Sequence, residues 1–312
     1  LDDSPQYRHE DGVMHSVVKR EDMTRIRDFF RLRSREVIQS WEGQSIVNVA
    51  RQYFRQIPLD FLAAYFGTPA QNEEEMLRWH RILFWDIFLN LENEESIIQE
   101  AEQVAPAFNA YLADLIKEEK SRLQQGKPSS DTILSRLLQL QGGEKPYLDD
   151  DGIQRNLAGT ILGGEETIAT ACGRISTQFM HRPGTLEAIQ KAAKADDVET
   201  VGKYAFEAFR LHPNLPVILR WSEDDISLGS GRKVPKGKIV YAFIASAMRD
   251  RRKFPQPKKI DLNRSFSDYL FMGHGLHACF GKYIVSIAIP EMLTALYRQT
   301  SFLPDSKIEF EG

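Results

Sequence analysis

The most informative part of the chain is residues 269–298, which read YLFMGHGLHACFGKYIVSIAIPEMLTALYR. Gly273, Gly275 and Gly281 break its first half, and Cys279 lies immediately before a run of apolar residues with helical spacing. A thiolate is stabilised near a helix N-terminus, and glycines let the backbone approach a flat ligand closely. The pattern is typical of a ligand-binding cysteine, whereas a lone cysteine before a helix is more often an unreactive core residue.

The residues around the cysteine favour the first interpretation. Residues 272–281, MGHGLHACFG, resemble the cysteine loop of the cytochrome P-450 family of haem-thiolate enzymes, which has the form Phe-Gly-x-Gly-x-His/Arg-x-Cys-x-Gly. The resemblance implies haem b as the cofactor, with Cys279 as the axial ligand of the iron. It also implies that His277 binds a haem propionate and that Gly273 and Gly281 lie against the macrocycle.

Two further expectations come from the same resemblance. Arg220 stands where the family places a propionate-binding arginine. Met272 replaces the family's usual Phe, and Phe271 is one position early, so Phe271 is expected to point elsewhere and the tuning of the thiolate to differ.

A second motif, FEAFRLHP at residues 206–213, places Glu207 and Arg210 on one face of a helix that ends at a proline. Alone, such a pair is common on exposed helices and contributes about 0.2–0.5 kcal/mol. Followed by the cysteine loop, it is similar to the family's Glu-x-x-Arg motif, which implies a buried structural pair. Lys259 and Arg264 are both candidates for its third partner.

A third motif lies in residues 153–180, a long apolar segment that predicts the central helix. Adjacent Gly163 and Gly164 cost up to about 1 kcal/mol each in a helix, which indicates close approach of another group. The following Glu166 and Thr167 resemble the family's acid-alcohol pair, which implies that they deliver the protons that cleave the O–O bond. The structural alternative is a kink with Thr167 bonded back to the preceding turn.

Apolar periodicity predicts a mainly α protein with a small β part late in the chain, between residues 217 and 243. The helix that begins after residue 46 is predicted to be interrupted near Pro58. The resemblance implies a single cytochrome P-450 domain over residues 1–312. Residues 3–18 look like the family's third helix, so the N-terminal strands and first helices are expected to be absent, and Tyr7 and Asp11 stand where the family has a propionate-binding His and Arg.

The formal charge is −4, the pI is about 6.0 and 42% of the residues are hydrophobic. This composition argues against nucleic acid as a partner. Cys172 and Cys279 form no CxxC pair, and no apolar run is long enough for a membrane span or a signal peptide. A cytoplasmic location is therefore expected.

The function that the resemblance implies is a monooxygenase that inserts one oxygen atom from O2 into a small apolar or lipid-like substrate. Electrons would come from NAD(P)H through a redox partner. A basic segment around one acid, Asp250, could dock an acidic ferredoxin or flavodoxin, or it could be a solvated loop. Its six cations are Arg249, Arg251, Arg252, Lys253, Lys258 and Lys259. Trp79, Phe84, Trp85 and Phe88 could line a substrate channel, although aromatic residues at helical spacing are more often core.

Two alternatives remain open at this level. Residues 260–284 and 82–96 look most similar to the cytochrome P-450 domains fused to fatty-acid dioxygenases, which isomerise fatty-acid hydroperoxides. This resemblance implies, as an alternative function, a hydroperoxide isomerase or peroxygenase of oxidised fatty acids that needs no electron donor. Those domains typically carry an amide in the central helix, whereas this chain has Glu166 and Thr167. The other alternative is a scaffold that has lost catalysis.

Overall fold

The computed structural model describes residues 3–127, 130–142, 147–229 and 231–299. Within these ranges the chain is mainly helical, with two small antiparallel sheets, as the sequence predicted. The helices are α1 (Pro5–Val17), α2 (Asp22–Gln39), α3 (Gln56–Phe61), α4 (Glu73–Phe84), α5 (Glu95–Gln124), α6 (Ile133–Gln141), α7 (Asp150–Met180), α8 (Pro183–Lys194), α9 (Val198–Leu211), α10 (Ile244–Ala247) and α11 (Lys282–Tyr297).

Helix α7 is the central helix that the sequence predicted, and it is 31 residues long. It begins where the side chain of Asp149 accepts a hydrogen bond from the Gly152 N–H at 2.7 Å, which satisfies one of the free donors of the first turn. Its buried side chains include Leu157, Cys172 and Phe179, each at 0% exposure. Helices α4, α5, α9 and α11 all pack against it, so its middle turns lie inside the molecule.

The sequence predicted that the helix before α4 is interrupted near Pro58. The structure shows that this prediction is wrong. Pro58 lies within α3, and π-helical turns flank α3 at Ala50–Arg55 and Leu62–Phe66. Proline has no N–H to donate to the preceding turn, so an ordinary α-helix would lose a hydrogen bond here. The chain changes to the π-helical hydrogen-bond pattern and its helical path continues. The run ends at Gly67, whose φ of 80° is left-handed.

The small β part lies between α9 and α10, as predicted. Strands β1 (Ile218–Trp221) and β4 (Ile239–Ala242) pair antiparallel, with Ile218 opposite Ala242. Strands β2 (Ile226–Ser227) and β3 (Lys233–Val234) form a second two-stranded sheet.

One hydrophobic cluster extends from Val13 in α1 to Tyr297 in α11. Helix α11 packs on α2 and α9, and a Cβ atom on Gly202 of α9 would lie only 3.0 Å from Cγ of Pro290. This tight packing fixes α9 against α11, the helix that follows the cysteine loop. None of the helices in the described ranges is long and apolar enough to cross a membrane.

Candidate active site

The cysteine loop follows α10 and a segment of turns, and it leads into α11. Gly273 and Gly275 adopt left-handed backbone angles, with φ of 72° and 71°, which side chains rarely tolerate. The Cys279 N–H donates to the Met272 carbonyl at 2.7 Å and closes the loop, and α11 begins three residues later. A Cβ atom on Gly273 would lie 3.0 Å from the His277 carbonyl oxygen, so glycine is required there for space as well as for φ.

Cys279 is exposed to solvent, and the surrounding protein partly desolvates its thiol. The desolvation raises the pKa of the thiol, and a hydrogen bond from the Gly281 N–H opposes this shift. Metal binding deprotonates a coordinating thiol outright, so the raised pKa does not prevent ligation.

His277 lies in the short turn Gly275–His277, and its Nδ1 atom is buried with no hydrogen-bond partner in the described part of the chain. An unsatisfied buried polar atom is costly, and it marks a place where a ligand atom would fit. The Tyr7 ring lies 4.6 Å from the His277 ring, and the Tyr7 hydroxyl donates to the Leu276 carbonyl at 3.3 Å. Helix α1 therefore contacts the cysteine loop through Tyr7. By the resemblance, Tyr7 stands where the family has a propionate-binding residue.

Arg220 lies on β1, where its guanidinium donates to the carbonyl of neighbouring Leu219 at 2.8 Å. No carboxylate pairs with it among the residues that the structure describes, and no hydrogen bond connects it to His277. An unpaired guanidinium, an unsatisfied imidazole nitrogen and a glycine-lined thiol fit a flat dianionic ligand such as haem.

Glu207 and Arg210 are both fully buried at 0% exposure and form a bidentate pair, with N–O distances of 2.7 and 3.1 Å. The third partner is Arg264, whose Nη1 also donates to Glu207. Lys259 contributes only its backbone carbonyl, which accepts from Arg210 at 3.2 Å. The Tyr269 hydroxyl donates to Glu207 at 2.9 Å, so the cluster ties α9 to the segment that leads into the cysteine loop.

Phe271 belongs to an aromatic cluster beside α9. It packs among aromatic side chains, with ring centroids 4.6 Å from Phe209 and 5.2 Å from Tyr269. Met272 is buried at 8% exposure and contacts Cys279 through its backbone carbonyl.

Glu166 and Thr167 lie together at the middle of α7. The Thr167 hydroxyl donates to the carbonyl of Gly163, the back-bond that the sequence raised as the structural alternative. The Thr167 carbonyl in turn accepts from the Asn214 side chain at 2.8 Å, which anchors α7 to the segment before β1. A Cβ atom on Gly163 would meet nothing within 4 Å, so the helix borders open space beside the acid and the hydroxyl.

Three residues at this site escaped the sequence analysis. Arg55 forms a bidentate ion pair with Glu166, with N–O distances of 2.5 and 2.9 Å. Behind it, Glu165 is fully buried at 0% exposure and lies 3.4 Å from Nδ1 of His80, which is 1% exposed. The one available signal was the position of Glu165 between apolar flanks in the central helix, which predicts a buried acid that needs a partner.

The aromatic residues that could be either core or substrate-channel lining differ in burial. Phe84 is core, and Trp79 packs against Phe108 and Tyr111 of α5. Trp85 and Phe88 are exposed in the π-helical turn that follows α4, at 46% and 37%.

Residues 70–305 match the family model of Cytochrome P-450, so the chain belongs to the cytochrome P-450 family. A curated relative, the vitamin D(3) 25-hydroxylase of Pseudonocardia autotrophica, is 23% identical over 242 residues, which are 77% of this chain and 55% of that protein. The mycinamicin IV hydroxylase/epoxidase of Micromonospora griseorubida is 24% identical over 255 residues, 81% of this chain and 59% of that protein. The chain therefore spans less than two thirds of the length of either relative.

The fold agrees with the family. The crystal structure of P450BioI in complex with hexadec-9Z-enoic acid ligated acyl carrier protein superposes with a TM-score of 0.81 at 20% identity. The match covers 95% of this chain and 72% of P450BioI.

Proposed function

We propose that this chain carries the haem-binding and oxygen-activating part of a haem-thiolate monooxygenase. The observation that carries the proposal is the pairing of the glycine-lined, solvent-accessible Cys279 with an unsatisfied buried nitrogen on His277, two residues away. Haem b, when bound, supplies an iron centre at which dioxygen is activated. We infer that residues 1–312 form one such domain, which is supported by the hydrophobic cluster that joins α1 to α11 within the described residues.

The chain's own residues supply the ligands for this group. Cys279 would ligate the iron as a thiolate, and the Gly281 N–H would stabilise the negative charge on sulfur. His277 and Arg220 would bind the propionates, and Gly273 would leave room for close approach of the macrocycle. The Glu207–Arg210–Arg264 cluster keeps the segment before the loop in place.

Glu166 and Thr167 move the protons that the reaction consumes. Thr167 holds its hydroxyl beside the open space at Gly163, and Glu166 lies one residue away with its carboxylate held by Arg55. The acid-alcohol pair favours dioxygen over a hydroperoxide as oxidant, because a hydroperoxide isomerase needs no protons from outside its substrate. The isomerase or peroxygenase of oxidised fatty acids, suggested by the dioxygenase-fusion resemblance, is the outcome to be excluded by experiment.

Electrons come from NAD(P)H through an acidic ferredoxin or flavodoxin that docks on the basic segment. Within that segment Arg252 pairs with Asp250, and Lys253 pairs with Asp268 at 2.7 Å. The exposed side chains of Arg251, Lys258 and Lys259 have no carboxylate partner among the described residues, so they remain available to a partner protein. The substrate is a small apolar or lipid-like molecule.

The experiment compares Thr167→Ala with Thr177→Ala in the haem-loaded enzyme. Both threonines lie on α7 and donate to the carbonyl four residues earlier, so the two variants lose the same helical back-bond. Only Thr167→Ala is expected to consume reductant while releasing peroxide instead of product, and Thr167→Ser is expected to restore product.

Equal product per electron pair in Thr167→Ala and Thr177→Ala would remove Thr167 from the mechanism. Turnover of a fatty-acid hydroperoxide without reductant, unaffected by Thr167→Ala, would replace the monooxygenase with the isomerase.

A further inference from the structure

Glu165 is the most deeply buried acid at this site, and the mechanism above does not use it. Its side chain is 0% exposed, and the charged or titratable groups that interact with it come from three elements: His80 of α4, Arg55 of the π-helical turn, and Glu166 of α7 itself. Helix α5 also packs here and presents the Phe108 ring, 6.3 Å from the His80 ring.

The group contains two carboxyl groups, Glu165 and Glu166, and one permanent cation. Arg55 is the only permanent cation of the group, and both of its hydrogen bonds go to Glu166. The nearest approach of Arg55 to Glu165 is 3.5 Å, and Oε1 of Glu165 has no hydrogen-bond partner within the described residues. An ionised Glu165 beside a neutral His80 would therefore leave two buried carboxylates sharing the single charge of Arg55, which is strongly unfavourable. One proton must reside on Glu165 or on His80.

The geometry indicates which residue holds it. Charge-assisted hydrogen bonds between an imidazolium and a carboxylate measure about 2.7–2.9 Å, whereas His80 Nδ1 and Glu165 Oε2 are 3.4 Å apart. Nε2 of His80 is buried with no hydrogen-bond partner in the described ranges, so an imidazolium would leave a charged donor unsatisfied. Desolvation also raises the pKa of Glu165.

We propose that Glu165 is a protonated, neutral acid beside His80, and that this buried proton keeps Arg55 engaged with Glu166. Glu165 and His80 are then positioning residues for the proton-delivering acid. This inference deepens the proposed function, since the consequence for Glu166 rests on it, but the protonation of Glu165 does not.

The effect is transmitted through the competition for one guanidinium. While Glu165 is neutral, Glu166 is the only carboxylate that attracts Arg55, and the bidentate pair forms. When Glu165 loses its proton, Arg55 lies between two adjacent carboxylates, with one Nη1 atom 2.5 Å from Glu166 and 3.5 Å from Glu165. Glu166 is then partly released from Arg55.

The experiment is an infrared pH titration of the purified protein, because a protonated carboxyl group has a C=O band that carboxylates lack. Wild type is expected to show a buried-acid band at neutral pH. Glu165→Gln removes the band, and Glu187→Gln, which replaces an exposed glutamate of α8, retains it. An identical band in wild type and Glu165→Gln, or none in wild type, overturns the proposal.

Two further measurements keep the test decisive. If Glu165→Gln does not fold, His80→Gln takes its place: the glutamine amide still reaches the acid, so the band is expected to shift, and an unshifted band overturns the proposal. In the haem-loaded enzyme, peroxide release by wild type is expected to change at the pH at which the band disappears, and a change at any other pH refutes the positioning role. The infrared result does not depend on oxygen chemistry, so a band that behaves as expected in a protein without oxygenation keeps this inference and rejects only the proposed function.

Discussion

The replacement Glu207→Gln tests the physical reason for the Glu-x-x-Arg cluster. Glu207 accepts five hydrogen bonds at 0% exposure, two on Oε1 and three on Oε2. Oε1 accepts from Arg210 Nε and the Tyr269 hydroxyl, and Oε2 accepts from Arg210 Nη2, Arg264 Nη1 and the Asp261 N–H.

The amide group of glutamine can accept on one side only. Whichever way it is turned, its NH2 group faces at least two donors, and two guanidinium groups lose their buried negative partner. Removing one partner from a buried ion pair costs about 3–5 kcal/mol, so we expect Glu207→Gln to lower the free energy of unfolding by about that amount. This is a large part of the roughly 5–15 kcal/mol that stabilises a typical domain.

Urea titrations of the haem-loaded protein measure the effect, with Glu187→Gln as the control. The control removes an exposed carboxylate and should change the stability by less than about 0.5 kcal/mol. Arg264→Gln should fall between the two, because it leaves the Arg210 pair intact. A Glu207→Gln variant as stable as the control would refute the reasoning that the buried charges are held by this carboxylate.

Three further predictions follow from other buried groups. Burial would raise the pKa of Asp22, but Arg136 and Tyr65 lower it well below its ordinary value of 3.8. Wild type should therefore lose stability below about pH 4 as Asp22 is protonated, and Asp22→Asn should lack this loss. Acid titrations that give wild type and Asp22→Asn the same midpoint would contradict this. Because burial raises the pKa of Glu165, the native state binds more protons than the unfolded state. The free energy of unfolding of wild type should therefore fall relative to Glu165→Gln by up to about 1.4 kcal/mol per pH unit as the pH rises above about 4.5. Parallel curves of stability against pH for the two proteins would refute this prediction. His277→Phe should weaken haem retention about 10–100-fold, measured as haem transfer to apomyoglobin, and an unchanged transfer rate would exclude His277 as a ligand-binding residue.

The sequence was most informative where chemistry requires a fixed residue order along a short segment. The cysteine loop could be read because its glycines, His277 and Cys279 lie within ten residues, and backbone angles at Gly273 and Gly275 admit few other side chains. The central helix and the late strands were predictable for a similar reason, since their signal is local periodicity.

Contacts between distant segments could not be read in this way. The sequence left Lys259 and Arg264 as equal candidates for the third partner of Glu207, because both lie in one basic stretch and only the path of the chain decides which side chain turns inward. The Tyr7 contact with the cysteine loop joins residues 269 positions apart. The ion pair between Arg55 and Glu166 spans 111 positions, and no local pattern distinguishes Arg55 from the other arginines of its helix.

Pro58 shows a different limit. A proline within a helical pattern predicts a break, because the ring removes a donor and crowds the preceding turn. The chain instead changes to π-helical turns on both sides of α3 and continues. Arg55 is the last residue of the π-helical turn before α3, so this turn also carries the side chain that pairs with Glu166.

The central claim is that Cys279 ligates haem iron as a thiolate. The most direct measurement is the difference spectrum of the dithionite-reduced protein with and without carbon monoxide, recorded beside Cys279→Ser. We expect a strongly red-shifted Soret band in wild type that is lost in the variant. An unshifted haem band in wild type, or the same spectrum in both proteins, would contradict thiolate ligation and with it the proposed function.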